Sequence, residues 1–251
     1  MFEFTGKRVL VTGGARGIGA ATVAAFRARG ATVAVGTRSA ASFEHLKSRT
    51  GYSDLLAAIG DVGDRNGAHA VVTHAIDRLG GLDVLVNSAG IFAEVAMADV
   101  TEAHWNETLA INLGGTFFCC QAALPALTAS RGNIVNVASD AGLVGYPLGT
   151  AYSAAKGGVV NLTRAMAVEL ALAVRVNCVC PGNVETDMIL EAAAASGDSH
   201  GYLERARARA HTKRMAKPEE IAAAILYLAS SEAASTTGAA LAVDGGGTAG
   251  F

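Results

Sequence analysis

Tyr152-Ser153-Ala154-Ala155-Lys156 sets a phenol and an ammonium four residues apart. On a helix that spacing brings both side chains to one face, a turn apart. Such a pair suits proton transfer. A free tyrosine ionises near about pH 10, too high for a base at neutrality, but neighbouring positive charge favours the phenolate and lowers that value. Upstream, Ser139 ends the apolar run Asn133–Ala138, where its hydroxyl could donate to an oxygen on which charge develops. Asn112, in Ala110-Ile111-Asn112-Leu113, is polar between apolar neighbours and needs partners; a hydrogen bond between helices would satisfy it. Phenol, cation and hydroxyl together point to one proton moving on or off an alcohol or carbonyl oxygen. A Y-x3-K spacing recurs by chance, so its weight depends on its company.

That company begins near the chain start. Thr12-Gly13-Gly14-Ala15-Arg16-Gly17-Ile18-Gly19 follows a strand-like run and leads directly into a helical pattern. Glycines let the backbone turn tightly and approach a pyrophosphate without a Cβ in the way, and a helix N-terminus offers free N–H groups to the anion. The spacing is G-x3-G-x-G, which departs from the common dinucleotide G-x-G-x-x-G.

The elements that must position these groups alternate from end to end. Arg8–Thr12, Thr32–Val35, Leu55–Ile59, Leu82–Val86, Asn133–Ala138, Val174–Val179 and Ala239–Val243 read as strands with little polar alternation. Helices are expected at Gly17–Arg29, Arg65–Leu79, Thr101–Ser130, Tyr152–Leu170 and Pro218–Ala229. Apolar strands separated by helical crossovers predict an α/β fold, a doubly wound parallel sheet with helices on both faces and ligands beyond the carboxyl ends of the strands. Two stretches break the rhythm: the Gly-rich Asp140–Thr150, and the polar, Ala-rich Asn183–Arg214. Loops this long are usually lids or binding segments. The 251 residues suit one domain over 1–251 with a substrate lid at about 183–215.

Composition narrows the function classes. A net charge of −2 leaves no electrostatic footprint for nucleic acid or an anionic membrane. The start is charged where a signal peptide would be apolar, and no run of about 18 apolar residues suggests a membrane span. Cys119-Cys120 and Cys178-Val179-Cys180 lack metal or redox spacing and read as buried thiols of a cytoplasmic protein. The six histidines form no ligand set, so no metal is expected, and His69 and His74 suit a solvated helix face. In the basic run Arg205, Arg207, Arg209, His211, Lys213, Arg214, every-second-residue spacing spreads charge around a helix and suits a solvated face.

Taken together, the motifs resemble the short-chain dehydrogenase/reductase family over nearly the whole chain. The Thr-preceded glycine turn matches its variant spacing, with Gly13, Arg16, Gly17, Ile18 and Gly19 at the cofactor's phosphates. Asp61-Val62 resembles its adenine contact, and Asn87-Ser88-Ala89-Gly90 its N-x-A-G segment, Ser88 replacing a common Asn. Pro181-Gly182, with Val184 and Thr186, resembles the segment holding the nicotinamide amide; Val243-Asp244-Gly245-Gly246 extends the match towards the end. Asn112, Ser139, Tyr152 and Lys156 fall where the catalytic tetrad is expected, with Asn112 holding a water that links to Lys156. The resemblance implies a single Rossmann-type domain and hydride transfer between a nicotinamide cofactor and a small alcohol or ketone. Metal is not required, and assembly as a homo-oligomer, commonly a tetramer, is implied. The apolar face Ala155, Gly158, Val159, Leu162, Met166 fits helix-on-helix contact, between subunits or within one.

The second strand ends in Gly36-Thr37-Arg38-Ser39, with no carboxylate to accept from a ribose hydroxyl. Arg38 could hold a 2′-phosphate in a bidentate manner and Arg16 could assist, so NADP is the expected cofactor, with NAD as the other candidate. Leu143, Val144, Tyr146, Leu148, Met188 and Leu190, with Phe92 and Val95, suggest a mainly apolar substrate cavity. Val184-Glu185-Thr186-Asp187-Met188 resembles 3-oxoacyl carrier-protein reductases, but Leu170-Ala171-Leu172-Ala173-Val174-Arg175-Val176 lacks the polar, Gly-containing turn those relatives carry. Two other classes compete. A non-catalytic NADP-sensing regulator would be expected to lose Tyr152 or Lys156, and an epimerase or dehydratase to carry a larger C-terminal domain.

Overall fold

Seven short runs rich in Val, Ile, Leu and Ala form parallel strands because both of their faces are covered. The computed structural model describes residues 2–250. Its strands are β1 (Arg8–Thr12), β2 (Thr32–Thr37), β3 (Leu56–Ile59), β4 (Val84–Asn87), β5 (Asn133–Val137), β6 (Arg175–Pro181) and β7 (Ala240–Val243). They join in one sheet ordered β3-β2-β1-β4-β5-β6-β7. The order reverses between β1 and β4, where Val11 pairs with Val86 and Thr12 with Asn87. A crevice opens at the carboxyl edge of such a switch point.

The helices are α1 (Gly17–Arg27), α2 (Ala40–Thr50), α3 (Arg65–Leu79), α4 (Glu102–Leu109), α5 (Gly115–Ser130), α6 (Thr150–Glu169), α7 (Asp187–Ala195), α8 (Ser199–Ala208) and α9 (Pro218–Ala229). One core lies beneath α1, α2 and α9, with Val9, Val11, Phe26, Phe43, Leu46, Ile221 and Ile225 almost wholly buried. On the opposite face Leu10, Val71, Leu85, Leu127, Ile134 and Val176 form the second, against α3, α5 and α6. Each such side chain contributes roughly 1.5–3 kcal/mol by leaving water. Local chemistry sets several boundaries: Asp64 caps α3 by accepting from Gly67 N at 2.9 Å, Thr101 caps α4 by accepting from His104 N at 3.1 Å, and Pro218 opens α9.

Three departures from the sequence expectation bear on function. The helix anticipated over Thr101–Ser130 is interrupted by a π-helical turn at Ala110–Gly114, which carries Asn112. The polar stretch after Asn183 folds into α7 and α8, which share a small core of Ile189, Ala193, Tyr202, Ala206 and Met215. Helix α2 was not anticipated, because its buried face is only Phe43 and Leu46.

Glu102–Ser130 also has the length and hydropathy of a membrane span, contrary to the reading of the sequence. Its α5 half nonetheless buries Cys119, Cys120, Ala123 and Leu127 in the core beside α3. All four cysteines are free and buried, as expected. His74 is exposed, but the Nε2 of His69 is buried, so the two do not share one solvated face.

Candidate active site

Geometry demands glycine at the first turn. Gly13 has φ +64° and Gly17 φ +52°, left-handed conformations that side chains disfavour. A Cβ at Gly13 would lie 2.7 Å from Ala89 Cα, and one at Gly19 would collide with the Gly13 carbonyl oxygen. The backbone of β1 is thus pressed against the segment after β4. Thr12 Oγ1 strengthens that contact, accepting from Ser88 N at 3.2 Å and Ala89 N at 3.3 Å. Helix α1 begins at Gly17 with no side-chain cap, so its first N–H groups face a cleft and can receive an anion.

The cleft occupies about 490 Å³ along the carboxyl edge. Gly13, Arg16, Gly17, Ile18, Gly19, Thr37, Arg38, Asp61, Val62, Ala89, Gly90, Asn112, Ser139, Tyr152, Lys156, Pro181, Gly182, Val184 and Thr186 all line it. Asn87 is the exception among the expected residues. Its amide points into the core and donates to Asn136 Oδ1 at 2.9 Å, and Asn136 donates to Thr163 Oγ1 at 3.0 Å. Rather than facing a ligand, Asn87 braces β4 against β5 and α6.

At the end of β2, Arg38 is exposed, with Nη1 3.8 Å from Asp61 Oδ2. Arg16 turns the other way and donates to Glu191 Oε1 on α7 at 2.7 Å. The glycine turn is therefore tied to α7, and Arg38 is the cation beside Thr37.

Helix α6 carries Tyr152 and Lys156 on one face, as their spacing requires. Lys156 is 5% exposed and donates to the Val137 carbonyl at 2.8 Å. Its Nζ lies 5.6 Å from the centre of the Tyr152 ring. Burial lowers the lysine pKa to about 8. Among the described residues, Val137 O is the one hydrogen-bond partner of an ammonium with three donors. A buried ammonium with spare donors in a cleft fits a ligand bearing hydroxyl or phosphate oxygens.

The Tyr152 ring packs edge-on against Phe92, centroids 4.9 Å apart. Burial pushes its phenol above the ordinary value, and the Ser139 hydroxyl opposes that rise. Lys156 does not offset the burial of the phenol.

Asn112 is fully buried, and its side chain is engaged with backbone. Nδ2 donates to Ile91 O and Thr108 O, both at 3.0 Å, and Oδ1 accepts from Ile91 N at 3.2 Å. It fastens the π turn to the loop after β4, and Gly90 fits between it and Lys156: a Cβ there would lie 2.7 Å from Asn112 Oδ1. No direct Asn112–Lys156 bond forms. π turns recur at functional sites, where the extra residue re-aims side chains.

The apolar residues expected around a substrate divide into two groups. Tyr146, Met188 and Phe92 line the cleft, but Leu143, Val144, Leu148 and Leu190 are exposed by 37–55% and stand outside it. Glu94 accepts from the Tyr202 hydroxyl at 3.1 Å and the Tyr146 hydroxyl at 3.4 Å, linking α8 to the loops after β4 and β5. Arg205, Arg207 and Arg214 pair with surface carboxylates, as a solvated face predicts. Arg209 instead turns inward, over the Tyr146 ring at 4.1 Å and 3.8 Å from Asp140. Asp140 lines the cleft and is the chief site residue that sequence reasoning missed. Its only signal was adjacency to Ser139.

A family model described as Enoyl-(Acyl carrier protein) reductase matches residues 13–248. Trans-4-hydroxycyclohexanecarboxylate dehydrogenase of Sinomonas cyclohexanicum is 40% identical over 253 residues, covering 97% of this chain and 93% of its own. The 3-oxoacyl-[acyl-carrier-protein] reductase of Thermotoga maritima is 38% identical over 245 residues, covering 96% of this chain and 97% of its own. Among solved structures, ligand-free Thermoplasma acidophilum aldohexose dehydrogenase superposes with a TM-score of 0.91 at 28% identity, covering 100% of this chain and 98% of that one. With its seven-stranded parallel sheet, its glycine turn and its Tyr152–Lys156 pair in one cleft, the chain belongs to the short-chain dehydrogenase/reductase family.

Proposed function

We propose that the protein interconverts a secondary alcohol and a ketone on a small substrate, with NADP preferred over NAD and Tyr152 as the acid/base. The observation that carries this reading is the convergence of Tyr152, Lys156 and Ser139 in the same cleft as the glycine turn. A nicotinamide dinucleotide supplies or accepts the hydride and, when oxidised, brings positive charge. Gly13, Gly17, Ile18 and Gly19 receive its phosphates, and Asp61 and Val62 its adenine. Ala89, Gly90, Pro181, Gly182, Val184 and Thr186 hold its nicotinamide half. Lys156 donates to ribose oxygens with the hydrogens that Val137 leaves free. Tyr152 takes the alcohol proton in oxidation and returns it to the carbonyl oxygen in reduction. Ser139 hydrogen bonds to the same oxygen. Asn112 holds the π turn in place, and its water link to Lys156 forms part of the proposal.

NADP is favoured because β2 ends at Thr37 and is followed by Arg38 instead of a carboxylate. Rates measured by nicotinamide absorbance with NADPH and NADH, over a panel of ketones and alcohols, test this. NADPH is expected to give the higher kcat/KM, and a tenfold preference for NADH would overturn the cofactor assignment. Reduction of 3-oxoacyl groups on a carrier protein is the second reading, supported by the Thermotoga relative. The apolar turn at 170–173 argues against it. Retention of Tyr152 and Lys156 argues against a silent NADP sensor. We also infer one domain over 1–251 with α7 and α8 as its substrate lid, assembly as a tetramer, and residence in the cytoplasm, in keeping with four unpaired buried thiols.

A further inference from the structure

Ser139 has one hydroxyl proton, and it is donated to Asp140 Oδ1 at 3.0 Å. Its oxygen accepts from Ala141 N at 3.2 Å. The proton that the proposed reaction would direct at the substrate oxygen is therefore held by the next residue. Asp140 is 8% exposed, too buried for a chance surface contact. Its Oδ1 also accepts from Ala141 N at 2.7 Å, while Oδ2 faces Arg209 Nη2 at 3.8 Å, beyond hydrogen-bond length. Behind the carboxyl lies a second cavity of about 190 Å³, lined by Asp140, Asn183, Arg209 and Asp244. A polar cavity of that size admits water and gives the carboxyl a route to exchange protons with solvent.

Resting on the catalytic reading above, we propose that Asp140 is a positioning residue whose protonation decides whether Ser139 offers the substrate oxygen a proton or only a lone pair. Ionised Asp140 takes the Ser139 hydrogen, and the serine oxygen then faces the substrate as an acceptor. With one proton gained from solvent, Asp140 donates its own O–H to Ser139 Oγ and releases the serine hydrogen to point at the substrate. Proton count balances: one enters from water, and none crosses from Ser139. A ketone oxygen can only accept, so neutral Asp140 speeds carbonyl reduction by adding the Ser139 hydrogen bond to that of Tyr152. An alcohol can donate to Ser139 and tolerates the ionised form.

Tyr146, Tyr152, Cys180, Arg209 and Asp244 surround the carboxyl. Burial raises its pKa, Asp244 adds to the rise, and Ser139, Arg209 and Ala141 oppose it. Because the net shift is upward, the neutral form persists above the ordinary range of about 3.9.

The test compares kcat/KM for ketone reduction against pH in the wild type and in Asp140→Asn, whose amide can donate to Ser139 as the neutral acid does. Wild-type reduction is expected to rise severalfold as pH falls through the Asp140 titration, and Asp140→Asn to be flat there; identical profiles would overturn the proposal. A second readout needs no turnover. The infrared band of the protonated carboxyl is expected to vanish in Asp140→Asn and to shift in Ser139→Ala; a band indifferent to Ser139→Ala would overturn it. Turnover that survives Tyr152→Phe would count against the catalytic reading and leave the Asp140–Ser139 contact standing.

Discussion

Lys156 is a cation with its Nζ on a single carbonyl, and burial lowers its pKa from 10.5 to about 8. The sign of the consequence follows from proton counts. Between about pH 8 and about pH 10.5 the unfolded chain holds the lysine proton and the folded chain has released it, so stability rises with pH across that window. The rise is bounded at about 3 to 4 kcal/mol, from roughly 1.4 kcal/mol per pKa unit. Lys156→Met is expected to remove this rise in denaturant titrations at pH 8 and pH 10, and a slope unchanged from wild type would place the lysine in solvent. The same substitution should abolish hydride transfer while the protein stays folded. Tyr152 teaches a related lesson: sequence spacing foretold its neighbour, but burial is the largest influence on its pKa.

At the scale of elements, the glycine turn, the π turn and the α7–α8 pair each hold a different part of the cleft. Gly13 sits at positive φ with Ala89 pressed against it, so Gly13→Ala combines a left-handed strain of about 1–2 kcal/mol with a backbone clash. Dinucleotide affinity, read by quenching of intrinsic fluorescence, is expected to fall about tenfold or more; wild-type affinity would show that the turn does not carry the phosphates. This turn was legible because strand, glycines and helix are contiguous. Strands β1 to β7 were legible too, since parallel strands are nearly continuous in Val, Ile and Leu. Less legible was the π turn, because α5 is apolar on nearly every side and a one-residue change of phase goes unseen in it. Helices α7 and α8 were hidden for another reason: their apolar residues pack mainly on each other, so a polar composition masked them. The bracing of β4 by the Asn87 amide was not legible, because the motif spacing says nothing of its partner Asn136, 49 residues away.

For the whole molecule, the doubly wound order brings β1, β4 and β5 side by side, so the glycine turn, Gly90 and Ser139 meet at one edge despite their separation in sequence. Of the α6 face expected to meet another helix, Ala155, Val159 and Met166 are buried inside the molecule, whereas Gly158 and Leu162 are half-buried. Trp105 on α4 and Phe117 on α5 are each 39% exposed. Light scattering at micromolar concentration is expected to give a multiple of the 25.4 kDa chain mass, four by family resemblance; a monomer would contradict it. Identity of the substrate was least legible, because Tyr146, which lines the cleft, is set by Glu94, Tyr202 and Arg209, and these meet only after folding.

Everything in the catalytic account turns on whether the Tyr152 hydroxyl moves the proton. Steady-state hydride transfer by Tyr152→Phe, with dinucleotide affinity measured alongside, asks that directly. Loss of kcat/KM by about 100- to 10,000-fold with cofactor affinity retained is the expected result. A variant turning over at the wild-type rate would contradict it.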